Sequence, residues 1–223
     1  MSAIPILKLP YVAQCVVFRF MDAIPLIEIS MVSTKLRNML EFTKLYVDSI
    51  TYTFPSAWSI EVETERSNLI VQPRRHDFGA RNSWKLEGNP FLVERRYEDP
   101  HVRFYACQCE SKLELAKKFG TCFSKILRAS KVNVIINRNI DLKDLFLWKI
   151  VKKFDTILVK REYWPPKMSS KNVRFLLENV EIKKLYLHVE VVDDPSFKFQ
   201  SSKKIQYLEV KEEIISPHFL PLF

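Results

Sequence analysis

Few residues of this chain combine the types and spacings that enzyme chemistry needs. The four histidines, His76, His101, His188 and His218, stand apart from any carboxylate or nucleophile spacing that suggests an acid–base pair. With 3 glycines in 223 residues, the chain has no GxGxxG motif and no phosphate-binding loop. The tripeptide Asp77-Phe78-Gly79 matches the DFG motif of protein kinases, but the chain has no HRD sequence of a kinase catalytic loop. We therefore expect no enzyme activity and no cofactor.

The cysteines are the next candidates for chemistry. Cys107 and Cys109 would project from one face of a strand, with His101 and Cys122 nearby in sequence. Structural zinc sites usually use cysteine pairs separated by about two to four residues, whereas this pair is separated by a single residue. We expect buried thiols and no metal site. Four cysteines do not make a disulfide framework, which favours a reducing, intracellular compartment.

The first forty-odd residues carry more apolar side chains than a small helical unit can bury. Between Val12 and Met21 only Gln14 and Arg19 are strongly polar, so this helix is apolar on most sides. Two further short helices are predicted by apolar residues at steps of three and four: Leu26, Ile29, Val32, Leu36 and Met39. Units below about 40 residues usually need a metal, disulfides or a partner. No metal ligands or paired cysteines lie here, so we expect a partner.

Local chemistry sets the predicted ends of these helices. Pro10 suits a first helical turn, where its missing N–H has no consequence. Asp22 is a candidate N-cap of the second helix, and Ser33 is one for the third.

From Leu9 to Leu40 this segment resembles an F-box, without a gap. Leu9 and Pro10 match the opening Leu-Pro pair, and Asp22 matches the acidic turn residue. The other matches are apolar, small or basic positions of the motif: Val17, Met21, Leu26, Val32, Ser33, Lys35 and Arg37. In two departures, Val12 replaces a common acidic residue and Leu36 replaces a frequent Trp.

The resemblance implies a partner and a function. F-boxes dock on a Skp-family adaptor, which links them to a cullin-RING ubiquitin ligase. The residues implied to bind the adaptor are Leu9, Pro10, Val17, Met21, Leu26, Val32 and Leu36. An ordinary N-terminal helical subdomain, packed on the rest of the chain, is the alternative.

Composition and charge limit the remaining function classes. The chain is 47% apolar and 13% aromatic, enough for a substantial core, and no uncharged apolar run approaches the roughly 18 residues of a membrane span. The net charge of +9 comes from residues 111–223, which hold 22 basic and 13 acidic side chains. Such an excess can attract nucleic acid, acidic lipid or an acidic protein segment, or form a solvated lysine-rich surface. A basic nucleic-acid-binding module is therefore the alternative function.

Residues 46–110 change from helical to alternating periodicity. Trp58, Ile60, Val62 and Thr64 share one face of a predicted strand. Further strands are predicted at 68–72, 83–86, 91–96 and 102–108. We expect an antiparallel β meander.

Residues 111–223 alternate between helical and strand patterns. Helices are predicted at 113–129, 142–152 and 170–180, and strands at 132–136, 154–159, 185–192 and 205–210. Lys131, Lys152, Lys183 and Lys203 precede the strands at spacings of 21, 31 and 20 residues, whereas leucine-rich-type units repeat every ~20–29 residues. Irregular leucine-rich-like α/β repeats are one interpretation, and a generic α/β sheet is the other.

This half also resembles the type 2 F-box-associated domain of nematode F-box proteins. The resemblance lies in residues 176–191 and in FKFQSSKKIQYLEV, up to Val210. The family pattern suggests a further helix where this chain ends in HFLPLF, so the domain is either truncated or capped by that tail.

The sequence thus predicts an α+β protein: a three-helix F-box at 1–45, a β-rich connecting region at 46–110 and an F-box-associated, leucine-rich-like region at 111–223. The expected function is a substrate-recognition subunit of an SCF-type ligase, located in the cytoplasm or nucleus, that binds an adaptor at one end and a protein target at the other. Tyr163 and Trp164, stiffened by two prolines, are the candidate target-binding residues.

Overall fold

The computed structural model describes residues 8–54, 58–74, 82–86, 89–99, 101–137, 140–160, 167–194, 196–199 and 205–211. The α-helices are α1 (Tyr11–Phe20), α2 (Ala23–Val32), α3 (Thr34–Thr43), α4 (Lys112–Ile126), α5 (Leu147–Ile150) and α6 (Ser170–Asn179). The strands are β1 (Leu45–Phe54), β2 (Ser59–Glu63), β3 (Asn68–Arg74), β4 (Asn82–Leu86), β5 (Asn89–Asp99), β6 (Val102–Gln108), β7 (Leu127–Ile136), β8 (Lys153–Val159), β9 (Lys167–Met168), β10 (Glu181–Leu187), β11 (Glu190–Val191) and β12 (Ile205–Val210).

Ten of these strands form one mixed sheet in the order β12-β10-β8-β7-β1-β2-β3-β6-β5-β4. Strands β1, β7, β8, β10 and β12 are parallel neighbours, whereas β1-β2-β3 and β6-β5-β4 are antiparallel. Because β1 pairs with both β2 and β7, it joins the antiparallel part of the sheet to the parallel part.

The parallel strands end at the same level of the sheet. The residue after each strand donates its backbone N–H to a carbonyl at the end of the preceding strand in the sheet. These donors are Asn137, Lys160, His188 and Lys211, at spacings of 23, 28 and 23 residues. Each of these intervals contains one parallel strand, and the leucine-rich-like interpretation stays a prediction.

One face of the sheet carries the apolar core. Side chains alternate between the two faces of a strand, and the core-facing set includes Tyr52, Ile60, Val62, Val134 and Ile157, all exposed by 1% or less. Helices α2 and α4 cover the antiparallel part, where Trp84, Phe91 and Phe119 pack with ring centroids 5.4–6.3 Å apart, and α3 packs on these two helices.

The α+β class and the three N-terminal helices are confirmed. Asp22 caps α2, accepting from the Ile24 N–H at 3.2 Å, and Ser33 caps α3, accepting from the Leu36 N–H at 3.3 Å. The alternation in β2 is also confirmed, because Ile60 and Val62 are buried while Glu63 is exposed. The predicted limits of β6 and β12 agree with the structure.

Several predicted elements differ from the structure. The sequence pattern does not predict β1, because Asp48, Ser49 and four threonine or tyrosine residues interrupt its apolar pattern, although Ile50 and Tyr52 are buried. The antiparallel strands do not follow a simple meander, because β6 rather than β4 lies beside β3, in the parallel sense. The sequence carries no local signal for that pairing.

Predicted helix limits were wrong in two places. The helix predicted at 113–129 ends at Ile126, where the chain turns directly into β7. The helix predicted at 142–152 is a 3-10 turn at Leu142–Asp144 followed by the single turn α5, with Leu145 between them in an extended conformation. The buried Asn172 side chain accepts the Leu142 N–H at 3.1 Å and so satisfies the start of the 3-10 turn. The strand predicted at 185–192 lies earlier, at β10.

Candidate functional site

Helix α1 directs most of its apolar side chains into solvent. Val12, Val16 and Phe20, at steps of four, are 73%, 48% and 87% exposed, and Tyr11 beside them is 51% exposed. Residues four apart share one side of a helix, so these side chains form a stripe, which we call the α1 stripe. The only buried residues of α1 are Gln14 and Phe18.

Helix α2 is mostly core, with a smaller exposed apolar edge. Ile24, Leu26, Ile27 and Met31 are almost fully buried. Ile29 and Val32 are 46% and 57% exposed, at a step of three. Helix α3 likewise buries Leu36, Met39 and Leu40 and exposes Phe42 near its end.

The seven residues predicted to bind an adaptor fall into three groups. Pro10 and Val32 are exposed, whereas Leu9, Val17 and Met21 are partly buried. Leu26 and Leu36 are 1% and 3% exposed and belong to the core of the chain itself. Adaptor binding by each of the seven stays a prediction.

Sequence reasoning missed two exposed apolar residues of the site, Val16 and Phe20. Val16 and Phe20 were read as part of a helix that is apolar on most sides, without a preferred face. The stripe from Val12 to Phe20 has an i, i+4, i+8 spacing that could have singled it out. Val12, treated as a departure from the motif, lies at the start of that stripe.

The helices are fixed to the sheet by a partly buried polar cluster. The Glu28 carboxylate of α2 accepts from the Arg103 guanidinium of β6 at 2.5 Å and from the Tyr105 hydroxyl of the same strand. The Glu28 and Arg103 side chains are 18% and 24% exposed. Charge-assisted hydrogen bonds of this kind fix a geometry, so α2 and β6 hold a defined relative position.

A second connection joins α3 to α4. Lys44 follows α3 with φ at 56°, a conformation that favours glycine, and its N–H donates to the Leu40 carbonyl at 2.8 Å. Its side-chain ammonium donates to the carbonyl of Lys125, near the end of α4. The two helices pack against each other along this line.

Cys107, one of the cysteines considered as a metal ligand, is fully buried in the core. Burial, followed by the neighbouring Cys109, raises the pKa of the Cys107 thiol well above its ordinary value. A raised pKa keeps the thiol protonated, and the thiolate is the form that binds metals. Within the described residues, no three histidine, cysteine, aspartate or glutamate side chains cluster as metal ligands would.

The face of the sheet opposite the core carries ordered rows of side chains. One row runs through Thr51, Asn133, Thr156, Lys184 and Tyr207, which are register partners across five parallel strands. The next runs through Thr53, Ile135, Leu158, Tyr186 and Glu209. Tyr186 and Tyr207 also pack together, with ring centroids 5.7 Å apart.

The basic excess of the C-terminal half is interleaved with carboxylates. Exposed pairs include Lys153–Glu181 at 2.8 Å, Lys171–Asp141 at 3.1 Å and Lys211–Glu209 at 3.1 Å. Nucleic-acid binding stays a prediction. The candidate target-binding residues Tyr163 and Trp164 lie outside the described residues.

A comparison with known families identifies the N-terminal part. Residues 6–48 match the F-box domain, so an F-box is present where three helices precede a mixed sheet. The match supports an adaptor role in SCF-type ligases, and F-box proteins are in general substrate adaptors rather than enzymes. No curated protein and no solved structure matches the chain. In the part of the chain that the structure describes, no helix has the length and apolarity to cross a membrane.

Proposed function

We propose that this chain is a substrate-recognition subunit of an SCF-type cullin-RING ubiquitin ligase. The observation that carries the proposal is the F-box at residues 6–48 together with the α1 stripe. Apolar surface removed from water contributes about 25 cal/mol per Å², so an exposed stripe of this kind favours association. The partner is a Skp-family adaptor and, through it, a cullin.

The exposed residues are proposed as the adaptor contacts. These are Pro10, the α1 stripe and the edge formed by Ile29 and Val32. The partly buried Leu9, Val17 and Met21 lie at the margin of this surface. Leu26 and Leu36 contribute indirectly, because they are buried in the core and hold the three helices in place.

The second part of the chain is proposed to hold a protein target. Its sequence resembles the type 2 F-box-associated domain, and its parallel strands supply the two rows of side chains on the open face of the sheet. Tyr163 and Trp164 follow β8 in the sequence and remain the candidate target-binding residues. The chain supplies no chemistry in this scheme. It raises the effective concentration of target lysines near the ubiquitin-charged enzyme.

Co-purification from a cell extract tests the proposal. The full chain is expected to retain a Skp-family adaptor and a cullin, and the Leu9→Ala/Pro10→Ala variant is expected to lose both while remaining folded. Circular dichroism of the variant provides the folding control. Retention of the adaptor by the variant, or its absence from the native sample, would contradict the proposed function.

Target binding needs a separate variant. Replacing Tyr163 and Trp164 with Ala is expected to remove specific co-purifying proteins while the adaptor is retained. A matched variant at Tyr207, which is 48% exposed on the open face of the sheet, shows whether that face contributes as well. An unchanged set of co-purifying proteins in both variants would place the target elsewhere.

A further inference from the structure

The buried polar residues of the core include one charged side chain, Arg37 of α3, which is 8% exposed. Its Nε is buried without a hydrogen-bond partner, and its guanidinium forms no ion pair with any described residue. Glu41, one turn further along α3, is near in sequence but lies outside ion-pair distance. Buried charges in proteins are normally paired, so an unpaired one needs an explanation.

The Arg37 side chain lines a cavity of about 160 Å³ between α3 and α4. The floor is apolar, formed by Leu86 and Cys122, and the polar walls are formed by Thr34, Asn38, Glu41 and Lys125. The volume is below the roughly 300 Å³ at which pockets for drug-sized ligands begin, yet it holds several waters at about 30 Å³ each. It therefore suits a small ion or a single side-chain group.

The charges around this cavity select an anion. Arg37 and Lys125 both line it, and the Lys44 ammonium lies against the Lys125 carbonyl. Glu41 is the single carboxylate in the lining. The hydroxyl of Thr34 and the amide of Asn38 add neutral hydrogen-bond donors.

We propose that this cavity is an oxyanion site, which takes inorganic phosphate or a phosphate monoester as the counter-ion of Arg37. A guanidinium is a planar fork of N–H donors that matches two phosphate oxygens at once, which chloride cannot reproduce. The ligand lies between α3, the last F-box helix, and α4, which packs on the sheet. Its binding therefore tightens the α3–α4 junction.

Thermal unfolding of the full chain in inorganic phosphate tests the site, with sodium chloride at matched ionic strength as the reference. Phosphate should raise Tm saturably, by about 3–5 °C for a ~tenfold excess over its dissociation constant. The phosphorus-31 line of phosphate should broaden in the presence of the protein. No difference from chloride in both measurements would overturn the proposal.

The variant Arg37→Met distinguishes an arginine that binds phosphate from one that only stabilises the fold. Met fills a similar volume without charge, so its Tm in chloride should equal or exceed that of the native chain, while the phosphate response disappears. A phosphate response that persists in this variant overturns the proposal. Arg37→Lys, which keeps the charge but not the fork, should weaken phosphate binding at least ~tenfold and serves if the Met variant does not fold.

Two further variants control for surface charge and for Glu41. Lys35→Met removes an exposed cation from the same helix and should leave the response unchanged. Glu41→Gln removes the carboxylate and should tighten phosphate binding several-fold, because a like charge no longer repels the ligand. If Glu41→Gln instead lowers Tm in chloride and leaves phosphate binding unchanged, Glu41 is the counter-ion and the proposal fails.

Competition with a phosphoserine peptide distinguishes the two sources of the ligand. A peptide that competes with phosphate would identify a phosphate monoester as the source, and a peptide that does not compete would identify the free ion.

Discussion

Helices α1 and α4 contain similar apolar residues, but α4 buries most of them and α1 exposes many of them. Helix α4 buries seven of its 15 residues, among them Leu115, Phe119 and Phe123, and turns its lysines outward. Helix α1 buries two of its 10 residues and exposes Val12, Val16 and Phe20. The sheet provides a complete apolar partner for α4, whereas α1 lies at the margin of the structure.

The difference shows that an apolar helix is not necessarily a core helix. The apolar face of α4 lies against its own chain, so its contribution is stability. The exposed face of α1 lies against solvent, and its contribution is proposed to be association with a partner. Substitutions on α4 should therefore change unfolding, and substitutions on the α1 stripe should change binding alone.

The largest expected effect is at Phe119, which is fully buried and packs on Phe91, Trp84 and Phe123. Phe119→Ala should lower the free energy of unfolding by about 3–5 kcal/mol, measured by urea denaturation. Phe20→Ala, at a residue that is 87% exposed, should change it by less than about 0.5 kcal/mol. Equal losses at the two positions would remove the distinction between the helices.

The next effect lies within the F-box itself. Leu26→Ala should destabilise the chain by about 2–5 kcal/mol because Leu26 is 1% exposed. Val32→Ala, at a residue that is 57% exposed, should leave stability unchanged and weaken adaptor binding. Urea denaturation and an adaptor pull-down on both variants check this. A stable Leu26 variant would mean that this part of the F-box packs less tightly than the structure indicates.

A smaller effect is expected at the cluster that fixes α2 to β6. Glu28→Gln removes a carboxylate held by Arg103 and Tyr105, and should lower the free energy of unfolding by about 1–3 kcal/mol. Lys153→Met breaks the exposed pair with Glu181 and should produce no measurable change. If the two variants lose the same free energy of unfolding in urea denaturation, the Glu28 cluster contributes no more stability than a surface ion pair.

The smallest effect is at the cap of α3. Ser33→Ala removes the acceptor for the Leu36 N–H and should lower the free energy of unfolding by about 1 kcal/mol. Ser33→Gly should cost only a few tenths of a kcal/mol, since glycine is tolerated at N-caps. Losses of the same size at both variants would show that the cap hydrogen bond contributes little.

The sequence predicted the elements whose signals are local. The caps at Asp22 and Ser33, the alternation of Ile60 and Val62 and the limits of β6 and β12 depend on neighbouring residues alone. The pairing of β3 with β6, the break in the helix predicted at 142–152 and the burial of Leu26 and Leu36 depend on distant residues. Asn172, for example, accepts the Leu142 N–H from 30 positions away in the sequence. The F-box was recognisable from its spacing, but its exposed face required the packed structure.

Equilibrium binding of the purified full chain to a Skp-family adaptor shows whether the α1 stripe is an adaptor-binding surface. Val16 and Leu113 form a matched pair, 48% and 42% exposed on α1 and α4. We expect Val16→Asp to weaken adaptor binding at least ~tenfold, which corresponds to about 1.4 kcal/mol, and Leu113→Asp to leave it unchanged. Equal affinities for the native chain and Val16→Asp, or equal losses in both variants, would contradict the assignment of the α1 stripe as the adaptor-binding surface.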